Sequence, residues 1–289
     1  MLSVVIVHWN TPDLLEHCLI SVYQAAERVA TEIVVVDCAS TVGNAREIVG
    51  AFELTKLVQL SENHGYASGC NAGAAATSGE LVLFLNADTE VTPGALDLLV
   101  GCFDLNPRVG LVAPLLLNAD QSIQSSGYAF PGAMNILCDL APVPDRMRGS
   151  RLNGRIDPGN GFHPYAVDYA LGAALAVRRP ALEQVGGWDE SYGMYAEEIE
   201  LARRLNEAGW TRLIEPRARV LHFGGASTGQ RPVEMQSALW RSRGRYHRRW
   251  SSPGRQRLLR ALVSAGTRVG GVTANPTAVC RAFAEGLGR

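Results

Sequence analysis

The chain predicts an α/β fold built on a mostly parallel sheet with helices on both faces. Three observations predict it. Strand-like and helix-like segments alternate through the first half, the strands are apolar throughout, and one strand after another ends in a polar residue. Residues 4–7 read as the first strand, and 12–30 as a helix with apolar positions at Leu14, Leu15, Cys18, Leu19, Val22 and Tyr23. Thr11 precedes Pro12, the order expected of an N-cap followed by proline in the first turn. Residues 33–36 are a β-branched second strand, 44–52 a helix and 57–60 a third strand. A small-residue helix over 67–76 leads to a fourth strand at 81–85, then a helix at 93–103 and a strand at 109–117.

The second half is less regular. Residues 118–167 are rich in Gly, Pro, Asn and Asp and read as long loops with short strands, a form that in a compact domain usually serves function. A strand follows at 169–177, a helix at 197–208 closed by Gly209, and a last strand at 219–223. From about Glu234 the pattern turns helical and basic, and after Gly270 it is weak. The division expected is a catalytic domain over 1–229 and a C-terminal helical extension over 230–289.

Composition narrows the class. Of 289 residues, 47% are hydrophobic and 19% charged, which is globular, and a net charge of −1 gives no reason to expect nucleic acid. The basic charge is concentrated: the stretch that begins at Arg241 and ends at Arg260 holds eight arginines and no acid. Interleaved with Trp240, Tyr246 and Trp250, it suits either an anionic membrane face or a solvated helix lying on the catalytic domain. The six cysteines are scattered without a C-x-x-C pair, so a disulfide framework or zinc site is not expected and a reducing compartment is. The chain starts directly in a strand without signal-peptide character, and no apolar run reaches membrane-spanning length. A cytoplasmic location is the expectation, with peripheral attachment to the inner membrane as an option.

Ligands of open parallel sheets bind beyond the carboxyl ends of the strands, and four sets of polar residues collect there. They are His8-Trp9-Asn10, Asp37, the segment from Glu62 to Gly73, and Asn86 with Asp88. Asp88 suits a hard divalent cation with positions left open for phosphate, though many strands simply end in Asp. Asp37 stands where an acid accepts a bond from a ribose hydroxyl or a base imide, or caps a helix. Gly65 to Gly73 allows close backbone approach to phosphate at a helix N-terminus, or only a tightly packed helix. It lacks the Gly-Lys-Ser/Thr ending of a P-loop, and it follows the third strand, not the first as a dinucleotide fingerprint would. Farther on, Glu197 and Glu198 open a helix, where the dipole favours them and where one of them could serve as general base. His222 is a metal ligand or a structural histidine. Trp188 is part of an acceptor pocket or of the core.

Taken together these residues resemble the family 2 glycosyltransferases of GT-A fold, especially the bacterial branch that includes rhamnosyltransferases. The resemblance is carried in order by VVIVHWN (4–10), VVVDCAS (34–40), ENHGYASGCNAG (62–73), LNADTEV (85–91), GGWDESYGMYAEEIEL (186–201) and VLHFGGAST (220–228). It implies that Asp37 contacts the nucleotide base and that Asn63, Gly65, Asn71 and Gly73 line the nucleotide-sugar. Asn86 and Asp88 stand for the D-x-D motif, with Asp88 holding Mg²⁺ or Mn²⁺ against the diphosphate and His222 approaching the metal. Glu198 stands at the catalytic base, with Glu for the usual Asp, and Glu197 is the fallback. Trp188 and Asp189 would line the acceptor pocket.

The function implied is an inverting, metal-dependent transfer of a sugar from a nucleotide-diphosphate donor to a hydroxyl of a glycan or lipid-linked acceptor in cell-surface polysaccharide synthesis. Rhamnose from a thymidine-diphosphate donor comes first, ahead of sugars carried on uridine diphosphate. An inactive sugar-nucleotide-binding scaffold is the alternative. A nucleotidyltransferase would want a basic glycine-rich first loop, which His8-Trp9-Asn10 does not supply.

Overall fold

The computed structural model describes residues 1–26, 29, 31–140, 144, 147, 149–157, 161–224, 232–269 and 275–288. In the first half, strands β1 (Leu2–His8), β2 (Thr31–Asp37), β3 (Thr55–Gln59) and β4 (Leu81–Asn86) alternate with helices α1 (Pro12–Ala25), α2 (Ala45–Gly50) and α3 (Tyr66–Ala75). Short β5 (Thr89–Val91), helix α4 (Ala95–Asp104) and β6 (Val109–Leu117) follow. The irregular middle holds β7 (Ile123–Gln124), β8 (Gly127–Tyr128), α5 (Ala133–Leu140), β9 (Tyr165–Ala166) and β10 (Tyr169–Ala170). Then come β11 (Ala174–Arg178), α6 (Arg179–Gln184), α7 (Glu197–Glu207) and the long β12 (Thr211–His222). Helices α8 (Pro232–Trp250), α9 (Pro253–Val269) and α10 (Pro276–Gly286) close the chain.

The sheet order is β3-β2-β1-β4-β11-β6-β12-β5. β3, β2, β1 and β4 are parallel, as are β6 and β12, while β11 runs antiparallel between β4 and β6. Side-chain alternation splits each central strand between two cores. Val4, Ile6, Leu83 and Leu85 face α1 and α4, whereas Val5, Val82 and Phe84 face α3, α6 and α7. Burial on both faces is why these strands read as unbroken apolar runs.

Several expectations are corrected. Thr11 does not cap α1 with its side chain; its hydroxyl lies 3.4 Å from His8 Nδ1. Helix α1 ends at Ala25. The strand expected at 169–177 is two strands of opposite partnership, β10 pairing with β8 and β11 entering the main sheet. The last strand begins at Thr211, eight residues before the expected start at 219. It carries a register shift between Glu215 and Arg219, where the buried Glu215 carboxylate accepts bonds from Arg217 at 2.8 and 2.9 Å. Gly225, Ser227 and the expected boundary at 229/230 fall outside the described residues.

The C-terminal helices fold back on the rest. Trp240, Leu259, Val263, Val279 and Phe283 form a core with Ile136 and Leu140 of α5. Helices α8 and α10 cross at Gly244 and Gly286, where a Cβ on either glycine would collide with the other helix's backbone. Among the described residues no helix is long and apolar enough to cross a membrane. All six cysteines are free thiols, five of them buried.

Gly73 sits on the face of α3 that meets the sheet, and a Cβ there would overlap Val5 and press on Val36 at 3.1 Å. Overpacking of this kind costs roughly 1–3 kcal/mol. Gly50, exposed at the end of α2, meets nothing within 4 Å. In urea denaturation Gly73→Ala lowers the midpoint, while Gly50→Ala raises stability by about 0.5–1 kcal/mol. Equal effects of the two substitutions would refute a packing role for Gly73.

Candidate functional site

The in-register pairing of His8 with Asp37, and of Val7 with both Val36 and Asn86, aligns the strand ends. A cavity of about 260 Å³ opens there, lined among others by His8, Trp9, Asn63, Gly65, Tyr66, Asn86, Asp88, Tyr195, Glu197, Glu198 and His222. Seven of the site residues that the resemblance implies therefore meet in one place: Asn63, Gly65, Asn86, Asp88, Glu197, Glu198 and His222.

The rest of that set acts from outside the cavity wall. Asp37 is buried at the end of β2, and its Oδ1 accepts the Ser40 N–H at 3.1 Å; the cap of α2 is Asn44. Asn71 is a clamp. Its Oδ1 accepts the Trp188 N–H at 2.9 Å, and its amide donates to the Trp188 carbonyl at 2.9 Å and to Glu190 at 2.7 Å. Gly73 serves the packing just described. Trp188 takes the core role: it is 2% exposed, edge-on to Phe84 and Tyr66 at 5.2 and 5.6 Å. Asp189 accepts from Ser191 and pairs with Arg249 of α8 at 3.4 Å.

The clamp holds the 187–195 loop across α3. Gly65, at φ 98°, lies so close to the Gly193 carbonyl that no side chain fits. The loop then enters α7 through Tyr195 and Ala196, both left-handed at φ 69° and 64°. Two consecutive non-glycine residues in that region cost of order 1–3 kcal/mol each, and such strain concentrates at functional sites. No side chain caps α7. Its first turn instead holds Glu197, Glu198 and Glu200, acids that the helix dipole favours.

Their environments separate the three acids. Burial pushes the Glu197 carboxyl well above the ordinary range, and Glu198 adds repulsion. Burial raises Glu198 to about 7, with the backbone N–H groups of Glu198 and Ile199 opposing. Glu200 is fully buried but paired, to Arg204 at 2.6 Å and to Arg249 at 2.7 Å. Burial therefore favours the protonated form of Glu197, Glu198 is poised to exchange a proton near neutrality, and Glu200 binds α8 to α7.

Asp88 and His222 form the second chemical element. β5 pairs with the end of β12, and the Phe223 N–H donates to the Asp88 carbonyl at 3.0 Å. His222 Nε2 lies 3.5 Å from Asp88 Oδ1, and Nδ1 lies 2.8 Å from Gln124 Oε1. An amide oxygen only accepts, so Nδ1 donates to Gln124 and Nε2 is turned to the Asp88 carboxylate. One imidazole nitrogen and one carboxylate oxygen turned toward each other fit a Mn²⁺- or Mg²⁺-type cation with its remaining positions open. Among the described residues no group of three or more His, Cys, Asp and Glu gathers to hold a metal by itself. Gln124 was missed in the sequence because it sits in a two-residue strand with no pattern. His8 is 1% exposed, burial lowers its pKa, and its Nε2 has no hydrogen-bond partner among the described residues.

Comparison with known proteins agrees with this geometry. The sequence profile of Glycosyl transferase family 2 matches residues 3–123. The chain is similar to N-acetylglucosaminyl-diphospho-decaprenol L-rhamnosyltransferase of Mycobacterium tuberculosis, 31% identical over 260 residues, covering 84% of this chain and 82% of that protein. Among solved structures it shares its fold with the Pyrobaculum calidifontis mannosyltransferase PcManGT in complex with GDP-Man and Mn²⁺. The TM-score is 0.59 at 19% identity, covering 99% of this chain and 74% of that one. It also resembles GalNAc-T7 with UDP, GalNAc and Mn²⁺, with a TM-score of 0.57 at 20% identity over 77% of this chain and 43% of that one.

Because Glu197 binds its proton more tightly folded than unfolded, its contribution to stability falls as pH rises above the unfolded carboxyl value. Glu197→Gln removes that loss. Thermal melts are expected to show the variant above the parent at pH 8 and level with it at pH 4; a gap that does not change with pH would place the Glu197 pKa at its ordinary value.

Proposed function

The chain belongs to glycosyl transferase family 2 and is a glycosyltransferase that uses a nucleotide-diphosphate sugar, and from that premise we propose that it inverts the anomeric centre with Glu198 as base. The observation that carries the reading is the single cavity in which Glu198, its pKa raised to about 7, meets Asp88, Asn86 and His222 at the strand ends. Glu198 accepts the proton of the acceptor hydroxyl as that oxygen attacks, and a base poised near working pH suits this task. The burial that favours protonated Glu197 works against a second negative charge beside the diphosphate. Asp88 and His222 would hold Mn²⁺ or Mg²⁺, which when bound neutralises charge on the leaving diphosphate.

A neighbouring cavity of about 530 Å³ shares Trp9, Asn63, Gly65 and Met194 with the first. Among the described residues that line it none is acidic, and Arg241 and Arg245 of α8 stand in its wall. This is the chamber for the anionic nucleoside diphosphate. Asp37 orders the Ser40 turn at the end of β2, where the resemblance puts the contact to the base. On this reading residues 1–229 supply the donor chemistry and the helices after 230 close it.

For the donor, thymidine-diphosphate rhamnose is favoured by the 31% identical relative, whose name also supports a lipid-linked acceptor. Arg241, Arg243 and Arg249 are engaged in ion pairs with Glu285, Asp139 and Glu200. That leaves Arg248, Arg255, Arg257 and Arg260 exposed as the basic face for an anionic membrane.

Donor turnover with a panel of nucleotide sugars tests the reading. Glu198→Gln lowers kcat by roughly 10²–10⁴, the usual worth of a general base, while nucleotide binding measured by thermal shift persists. Retained turnover would remove Glu198 from the role, and no turnover with any donor would favour a binding scaffold. The parent's kcat/KM is expected to fall about tenfold per pH unit below pH 7 and level off above it, since only the ionised Glu198 acts.

A further inference from the structure

Glu198 opens on a second cavity. This one, of about 270 Å³, shares Glu198, Leu171 and Tyr195 with the donor cavity. These three residues form the partition between the two chambers. The new one is otherwise walled by the middle segment and by α8, including Tyr128, Asn135, Asp139, Tyr169, Arg243 and Tyr246. A carboxylate that must take a proton from one substrate while the other departs needs access from both sides, and Glu198 alone of the three acids has it.

The chemistry of the walls selects the ligand. Tyr128 and Tyr169 face each other in register on the small β8–β10 ribbon, with rings stacked at 5.2 Å and 16°. The Tyr128 hydroxyl donates to the Ser125 carbonyl at 3.0 Å, which fixes the ring. Such a pair offers a rigid apolar plate with polar rims, the surface that the C–H face of a sugar ring covers. The charges are balanced. Arg243 is paired to Asp139 at 2.6 Å, and burial pushes His247 down to about 4, so it is neutral. The neighbouring cavity differs: Arg245 stands in its wall, the Glu285 partner of Arg241 is not among its described lining residues, and none of those is acidic; that chamber suits an anion, this one a neutral polyhydroxyl group. Its volume, below the roughly 300–1,000 Å³ of ordinary ligand pockets, admits a ring unit and not an extended chain.

Helix α8 serves this chamber and the neighbouring nucleotide chamber. Ala238, Arg241, Ser242 and Arg245 line one, and Leu239, Arg243, Tyr246 and His247 line the other. The two sets are spaced by three and four residues, so they are adjacent faces of one helix. The family profile ends at residue 123, and of the residues of this pocket all lie beyond it. The strand-end residues Asn63, Gly65, Asn86 and Asp88 of the donor cavity lie within the matched part.

Resting on the transferase reading, we propose that this cavity is the acceptor subsite. A neutral sugar ring lies against the Tyr128–Tyr169 pair there, between Asp139–Arg243 and Glu198, with its attacking hydroxyl at Glu198.

Saturation-transfer NMR on the full chain tests it. The probes are the methyl glycosides of glucose, galactose, N-acetylglucosamine and rhamnose; UDP, dTDP and GDP with Mn²⁺ are followed by thermal shift alongside. At least one glycoside is expected to receive saturation from the parent protein and to lose at least about five-fold of it in Tyr169→Ala, while the nucleotide shift is unchanged. Leu239→Trp, which fills the pocket from α8 without touching the tyrosines, is expected to do the same and covers a Tyr169 variant that does not fold. A nucleotide shift with no glycoside signal, or glycoside signals that persist in both variants, overturns the subsite and leaves the transferase reading standing. No shift with any nucleotide overturns both.

Discussion

The two-way exchange between the Asn71 side chain and the Trp188 backbone is the contact on which the site depends. One amide satisfies both the N–H and the carbonyl of a residue 117 positions away, each at 2.9 Å. It fastens the 187–195 loop to α3, a helix already fixed on the sheet by Gly73. Trp188 then inserts between Phe84 and Tyr66, and the loop arrives over Gly65. Only with the loop so placed do Glu197 and Glu198 face the strand ends. A buried backbone pair left without this amide would cost about 1–3 kcal/mol for each unsatisfied group.

Strain and charge are stored beside that anchor. Tyr195 and Ala196 enter α7 in left-handed conformations, and α7 begins with no capping side chain. Three of its first four residues are acids that burial raises above their ordinary pKa, and at one of them, Glu200, Arg204 and Arg249 oppose the shift. The arrangement is unfavourable for stability and useful for proton transfer. The Glu200–Arg249 pair and the Ser242 hydroxyl, which donates to the Met194 carbonyl at 2.7 Å, then hold α8 against it, so the basic helix is a wall of the site as well as a surface.

Much of the donor half was legible locally. Strands buried on both faces show as apolar runs, so β1, β2, β4 and β6 were found within a residue or two, and their polar ends marked the edge where ligands collect. Elements outside the central sheet were harder. The first half of β12 was missed because Arg212, Glu215 and Arg217 break its apolar pattern, and Glu215 is tolerated only through the Arg217 pair and the Cys102 thiol. Helices α5 and α10 were missed because each buries a narrow stripe of small or mixed residues against another helix. Asn71 read as a binding residue, and Trp188 as either pocket or core, because an amide and an indole look the same in sequence whether they meet a ligand or each other.

The sequence by itself determined the alternation of strands and helices, the class of fold and the residue types available at the strand ends, since these follow from side-chain periodicity within a few residues. The tertiary structure decided which of those residues meet. Glu198 joins Asp88 through loop 187–195, His222 is oriented by Gln124 from 98 positions away, and α8 divides two chambers of opposite character. Contacts across such separations are set by sheet order and packing, and no local pattern encodes them.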